Sequence, residues 1–271
     1  MELNNKKNIK TYILLGLFSI NFIVPFGYAI YTSLLAKADI DKLVPISRLT
    51  FENFVEVFLH SDILLWYKNS LIMTLGILIG NLVFNTLAGY ALAKIEFKGK
   101  NVIFFVIIAT MMVPYQICLI PTYSMLVKLG WLNSFKGLII PFMFQGFLVF
   151  LMRQFFITIP DELIEAAKID GLGAIGTFFR IILPISKTAL ATQVIFCFTG
   201  TWNSFMWPTI LVNDKSKYVL TVGLNTLKNR FFEWPNVTMT GVVLMTLPII
   251  LIFIVFQKYF VKGIASSGIK G

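Results

Sequence analysis

The side chains able to do chemistry inside the apolar stretches of this chain are uncharged. Asn81 and Asn85 stand four residues apart, a spacing that puts both on one helix face. Gln145, Gln193, Thr199, Thr201 and Asn203 stand in other apolar runs, and Trp202 adjoins Asn203. Amides and hydroxyls of this kind can pass a neutral, hydroxyl-rich solute from one hydrogen bond to the next. An indole beside an amide suits a molecule with one apolar and one hydroxylated face. The plainer reading is hydrogen bonding between packed helices, and for any one residue it comes first.

Other chemistry is excluded by what the chain lacks. It has one histidine, His60, and two cysteines, Cys118 and Cys197, each in an apolar run. No metal cluster or disulfide framework can be built from them. No G-x-x-x-x-G-K-[ST] phosphate loop is present. No Asp, Glu, Lys, Arg or His lies inside the apolar runs, where proton- and ion-coupled transporters place theirs. A membrane enzyme would need acids, bases or metal ligands near the bilayer. If this chain moves a solute uphill, another subunit supplies the energy.

The elements that position these residues follow from composition. Of 271 residues, 57% are hydrophobic and only 13% charged, against about 25% charged in a soluble domain. A soluble fold of this size cannot hide so much apolar surface. Charge-free runs cover 11–36, 69–93, 101–127, 137–152, 188–213 and 234–257. About 20 apolar residues cross the hydrocarbon core as a helix. Five runs suffice outright, and the fourth reaches if Arg153 snorkels to the interface. The expectation is an all-α integral membrane protein with six transmembrane helices. The first run follows Lys6, Lys7 and Lys10 but is too long for a signal peptide. Pro25, Pro114, Pro121, Pro141, Pro208 and Pro248 lie in or beside the runs and can kink them. Gly76-x-x-x-Gly80 can mark close helix packing. With the N-terminus inside, inner segments hold 13 Lys and Arg and outer segments 10. Lys94, Lys98 and Lys100 are the densest inner group. The net charge of +10 therefore reads as membrane orientation and anionic lipid contact, not as nucleic-acid binding.

The inner loop 158–187 carries the most specific pattern. Thr158 and Asp161 have capping-box spacing and Pro160 fits a first turn, which predicts a short helix over 159–169. Gly171 supplies its stop, where a positive φ costs little. Leu163, Ala166 and Ala167 make a narrow apolar face flanked by Glu162 and Glu165. Such a helix docks in a partner's groove or lies on lipid. Its acidic flank favours the protein groove. Pro184 stands where the fifth span begins.

These residues resemble the signature of binding-protein-dependent ABC importer permeases: Glu-Ala-Ala, three residues, Gly, nine residues, Ile-x-Leu-Pro. Here it reads Glu165-Ala166-Ala167, Gly171 and Ile181-Ile182-Leu183-Pro184, with both spacings intact. Ile169-Asp170-Gly171 with Arg180, and Trp202-Asn203-Ser204-Phe205-Met206-Trp207-Pro208, look like the carbohydrate branch, the maltose-type second permease. Phe260-Val261-Lys262-Gly263 and Gly268-Ile269-Lys270-Gly271 resemble it too. Ser204 departs from the pattern, in which that position is often acidic. The resemblance runs from about residue 65 to the end.

The resemblance implies a type I ABC importer permease fold. Residues 1–64 would be the tail, first helix and outer loop, 65–263 the permease domain, and 264–271 a cytoplasmic tail. It implies a second permease subunit, two ATP-binding subunits and an extracytoplasmic solute-binding protein, in a bacterial cytoplasmic membrane with both termini inside. ATP and magnesium would sit on the ATPase partners, with no cofactor on this chain. Glu165, Ala166, Ala167, Asp170, Gly171 and Pro184 would form the ATPase-coupling loop. The solute expected is a sugar or oligosaccharide, the alternative being another solute such as a polyol phosphate. Asn81, Asn85, Gln145, Trp202 and Asn203 are the pathway candidates.

Overall fold

The computed structural model describes residues 2–40, 42–230 and 234–267. The Gly268–Gly271 ending and the side chains of 260–263, both named in the resemblance above, lie outside what is described. All described regular structure is helical. In chain order the helices are α1 (Glu2–Ser33), α2 (Glu52–His60), α3 (Ile63–Lys94), α4 (Lys100–Met111), α5 (Leu119–Lys128), α6 (Phe135–Ile139) and α7 (Gly146–Ile157). There follow α8 (Glu162–Ile169), α9 (Ala174–Thr177), α10 (Leu183–Ile185), α11 (Lys187–Trp202), α12 (Met206–Leu211), α13 (Leu220–Arg230) and α14 (Pro235–Ser267).

Four stretches are long and apolar enough to cross a membrane: Thr11–Ser33, Ile63–Lys94, Phe135–Ile157 and Pro235–Tyr259. Ala174–Ile185 and Lys187–Trp202 qualify as a pair bent by 80°, which makes five. The third expected span, 101–127, is not one helix. α4 stops at Met111 and α5 starts at Leu119. Pro114 has no N–H to give and disfavours helix in the residue before it. The fourth span runs past Arg153 to Ile157, as snorkelling would allow. Arg153 is held by the protein there: Nε donates to the Leu92 carbonyl at 3.1 Å and the guanidinium lies 3.8 Å above the Phe104 ring. The break comes earlier. Pro141 enters a 3-10 turn over Ile140–Phe142, and Gln145 is extended (φ −134°, ψ 119°) before α7 begins.

The chain forms two compact units. One comprises Met1–Leu64 with Leu220–Leu247. Its polar core serves the last carbonyls of α1, which have no partner within the helix. Asn53 Nδ2 donates to the Ser33 and Leu35 carbonyls, both at 2.8 Å. Asn236 Nδ2 donates to Leu35 and to Asn53 Oδ1, both at 3.0 Å. The α1 side chains over the apolar run are mostly exposed, Leu14 at 69% and Phe18 at 64%, as a lipid-facing helix requires.

The second unit comprises Leu65–Val219 with Pro248–Gly271 and is organised on α3. The glycines of α3 let the broken fourth span approach its backbone. A Cβ at Gly76 would meet Ile139 Cδ1 at 2.8 Å, and one at Gly89 would meet Met152 Cβ at 2.7 Å and the Arg153 nitrogen at 3.0 Å. The Gly76-x-x-x-Gly80 spacing thus does mark close packing. At the end of α3 the apolar core gathers Tyr90, Met152, Phe156, Ile164, Phe178 and Ile182.

Candidate coupling loop and cavity

The loop after α7 is built on that core. Thr158 caps the end of α7, its Oγ1 donating to the Phe155 carbonyl at 2.7 Å. The expected Thr158–Asp161 capping box therefore does not form, and α8 starts at Glu162 rather than 159. The Asp161 carboxylate is used elsewhere. Its Oδ1 accepts from Lys94 Nζ at 2.7 Å, and Lys94 also donates to the Ile159 carbonyl at 2.5 Å. The Lys94 side chain is only 5% exposed, and a buried ammonium needs an anion and acceptors. That hydrogen bond, and then the charge of Lys94, hold the Asp161 acid below the usual carboxylate range.

α8 presents two apolar sides. Ile164 and Ala167, three residues apart, are buried, Ile164 in the core at the end of α3. Leu163, Ala166 and Ile169 are exposed, Ile169 at 87%, and Glu165 is exposed with them. The expected single face of Leu163, Ala166 and Ala167 is therefore split. Ile164 takes Ala167 inward because the larger side chain gains more by burial. The C-terminus closes as a Schellman motif. Asp170 is the C-cap and Gly171 has φ +80°. Leu172 N donates to the Ala167 carbonyl at 2.9 Å and Gly171 N to Lys168 at 3.0 Å. The positive φ expected at Gly171 is present.

Pro184 closes the signature inside α10. The residues before it, Phe178–Ile182, form a π-helical stretch. Pro184 cannot donate to the carbonyl one turn back, and its ring crowds that carbonyl. Ser186 Oγ donates to the Ile182 carbonyl at 2.6 Å, and the 80° bend falls there. The loop thus leaves α7, makes α8, returns through Phe178 and Ile182, and turns into α11.

The polar residues of the spans divide into two groups. Asn81 and Asn85 are fully buried and splice the broken fourth span. Asn81 Nδ2 donates to the Phe142 carbonyl at 2.8 Å, Asn85 Nδ2 to Asn81 Oδ1 at 2.5 Å, and the Gln145 N–H to Asn85 Oδ1 at 3.1 Å. Gln193 Nε2 donates to the Asn81 carbonyl at 2.8 Å and Thr86 Oγ1 to Gln193 Oε1 at 3.1 Å. The backbone groups freed at the break would be costly unpaired in lipid, and the two asparagines satisfy them. Neither asparagine is among the residues that wall the cavity beside Gln145.

Gln145 and Asn203 do line one. A cavity of about 650 Å³ is walled by Gln145, Asn203, Ser204, Thr201, Tyr115 and Trp207, among others. Asn203 is the C-cap of α11, and its side chain is exposed. Trp202 is 1% exposed, stacked on Phe198 with ring centroids 5.5 Å apart and tilted on Tyr67 at 5.8 Å. Its aromatic face is packed, and the cavity takes Trp207 instead. Trp207 meets Phe142 edge-on at 5.3 Å. Sequence reasoning quoted Trp207 within its motif without assigning it. Nothing local in the sequence separates Trp207 from Trp202, or marks Tyr115; the end of α11 at Trp202, with Asn203 as its cap, turns the chain so that Trp207 reaches the cavity.

A helical chain with four or five apolar stretches able to cross a membrane, a signature loop seated on the core of one unit, and a cavity in that unit whose described wall carries no charge fits the class of transport permeases. The chain belongs to the family of binding-protein-dependent transport system inner membrane components, whose pattern matches residues 85–266. It is 35% identical over 234 residues to the arabinooligosaccharides transport system permease protein AraQ of Bacillus subtilis, covering 86% of this chain and 82% of that protein. It is 35% identical over 202 residues to the sn-glycerol-3-phosphate transport system permease protein UgpE of Yersinia pestis, covering 73% and 72%. Its fold matches a chain in the crystal structure of a bacterial ABC transporter involved in the import of the acidic polysaccharide alginate. The TM-score is 0.82 at 26% identity, with 93% of this chain and 96% of that one covered.

Proposed function

We propose that this permease carries a sugar or oligosaccharide, delivered by an extracytoplasmic solute-binding protein, through a bacterial cytoplasmic membrane. The observation that carries the reading is the lining of the cavity: amides, hydroxyls and aromatic rings, with no charged side chain among the described residues. A polyol phosphate would call for a cation on that wall. AraQ is named for an oligosaccharide and UgpE for a glycerol phosphate, so both solute classes occur among the relatives. The uncharged wall favours the neutral one. Gln145 and Asn203 would meet hydroxyls, and Trp207 the apolar ring face.

A second permease completes the pathway, and two ATPase subunits sit on the side of α8. The exposed Leu163, Ala166, Ile169 and Glu165 would enter an ATPase groove, with Asp170 and Gly171 shaping the exit and Pro184 the turn into α11. ATP and magnesium belong to those partners, and this chain contributes no cofactor site. ATP-driven closure of the ATPase pair would draw α8 inward and turn the cavity outward, and hydrolysis would reverse it. Residues 65–263 form the working permease domain, and both termini lie on the cytoplasmic side with the 94–100 loop.

Uptake by the reconstituted importer is the test. Neutral oligosaccharide delivered by the cognate binding protein should be imported, and only with ATP, the ATPase subunits and the second permease present. Binding of polyol phosphate but no sugar by that protein would replace the solute. Uptake driven by an ion gradient with this chain alone would overturn the assignment.

A further inference from the structure

Where α4 leaves the 94–100 loop, a polar pocket of about 450 Å³ opens between the loop and α7. Glu96, Lys100, Asn101 and Arg153 are on its wall. Arg153 is fixed by its Nε bond to Leu92 and by the Phe104 ring beneath it. These contacts use one N–H and one face. Its two terminal nitrogens donate to no other described residue, which leaves a planar fork suited to paired phosphate oxygens. Lys100 Nζ is paired with Glu96 Oε1 at 2.9 Å, so those two charges nearly cancel. Lys94 is paired with Asp161. The positive charge left over belongs to Arg153 and to Lys98, which is exposed.

The pocket also stands at a defined depth. Lys100 precedes the charge-free run 101–127, and Arg153 follows the charge-free run 137–152. Both therefore mark the level where hydrocarbon meets headgroups. Just beyond, the outer side of α4 is apolar and open, with Val102 66% and Phe105 71% exposed. A fixed cation at headgroup level beside an exposed apolar helix face has the two-part chemistry of a phospholipid.

We propose that this pocket binds the phosphodiester of an anionic phospholipid. Arg153 holds two phosphate oxygens, Lys98 adds charge, and Val102 and Phe105 receive an acyl chain. In the orientation given above this is the cytoplasmic leaflet. The site itself does not depend on that orientation, nor on the solute.

The assembled importer, in nanodiscs of equal phosphatidylglycerol and phosphatidylcholine, tests it. A trace of either lipid carries a photoactivatable group on its acyl chain, and crosslinks are mapped by peptide mass spectrometry. Phosphatidylglycerol should label 102–106 well above phosphatidylcholine. Arg153→Gln and Lys98→Gln should each cut that labelling about fivefold, the effect of one cation near a charged lipid surface. Lys98 is exposed, so Lys98→Gln should leave assembly intact and decides the matter if Arg153→Gln fails to assemble. Inorganic phosphate at millimolar concentration should not compete. Equal labelling by the two lipids, no labelling of α4, or unchanged labelling in Lys98→Gln overturns the site. Competition by inorganic phosphate assigns it to a soluble anion instead.

Discussion

Gly171→Val isolates the backbone geometry of the coupling loop. Gly171 has φ +80°, and a Cβ built there finds nothing within 4 Å. A side chain therefore meets no steric obstacle, and the whole penalty is conformational. An L-residue in the left-handed region costs on the order of 1–2 kcal/mol, with β-branched residues the worst placed. The chain can avoid the strain only by giving up the two closing bonds, Leu172 N to Ala167 and Gly171 N to Lys168, at about 0.5–1.5 kcal/mol each. The strain alone shifts the balance between the closed and the opened end of α8 by roughly 5- to 30-fold, and the loss of the two bonds limits how far the chain relaxes. The rest of the unit should stand, because Ile164 and Ala167 anchor α8 independently. The expected result is a chain that assembles in the membrane but whose ATPase partners copurify poorly or ignore loaded binding protein. Asn tolerates this region best among residues with a Cβ, so stimulated hydrolysis should rank Gly, Asn, Ala, Val. Wild-type stimulated hydrolysis in Gly171→Val would refute the backbone account. Asn as damaging as Val would assign the position to close approach by a partner.

Asp161→Asn should loosen α8 at neutral pH, seen as faster hydrogen exchange over 161–169. In the wild type the Asp161 acid is lowered by Lys94, so the pair's contribution is full above the ordinary carboxylate range and fades only as pH falls through the lower folded value. Exchange in this segment, corrected for its intrinsic rate, should then be flat from pH 8 to about 5, and a change across neutrality would contradict this. Asn81→Leu strands the Phe142 carbonyl and Asn85→Leu the Gln145 N–H, and each should cost about 1–3 kcal/mol, read as a lower Tm in detergent. Lost uptake at unchanged Tm would make them pathway residues. Trp202→Ala should lower stability by about 3–5 kcal/mol, whereas Asn203→Ala should reduce uptake with Tm unchanged, and the reverse pattern would exchange their roles. Single cysteines at Lys98 and Lys217, in a background lacking Cys118 and Cys197, should be respectively protected from and open to an impermeant thiol reagent in intact cells.

The backbone of the loop after α7 was legible because its pattern is local. Gly171 follows a short amphipathic segment at the one place a left-handed residue is needed, and Pro184 must disturb any helix that reaches it. The interruption of 101–127 has a local mark in Pro114, whose missing N–H breaks the helix although the run carries no charge. What the sequence could not order was which polar residues face each other. Asn81 and Asn85 share a helix face, as their spacing requires, yet whether that face meets solute or a broken backbone depends on where Phe142 and Gln145 lie. Those residues are about 60 positions away in sequence, as the separations of their hydrogen bonds state. The same holds for Trp202 and Trp207. Composition makes them equivalent, and only the turn after Asn203 sends one inward and the other to the cavity. Asp161 was read as a helix cap because its chain neighbours fit one, and Lys94 claimed it from 67 residues away.

The helix α7 starts at Gly146, just after Gln145 on the cavity wall, and ends at Ile157, four residues before Asp161. Twelve helical residues span about 18 Å, so α7 works as a connecting rod whose two ends are both pinned to α3. At the cavity end the pin is the Asn85 amide on the Gln145 N–H. At the other it is Lys94, gripping the Ile159 carbonyl and the Asp161 carboxylate. A rod fixed at both ends to the same strut moves with it as one body. A displacement imposed at the Asp161 end would therefore carry α7, α3 and Gln145 together, and the nearest interruption of helical continuity is the 80° bend between α10 and α11, beside Pro184 and the π-helical turn.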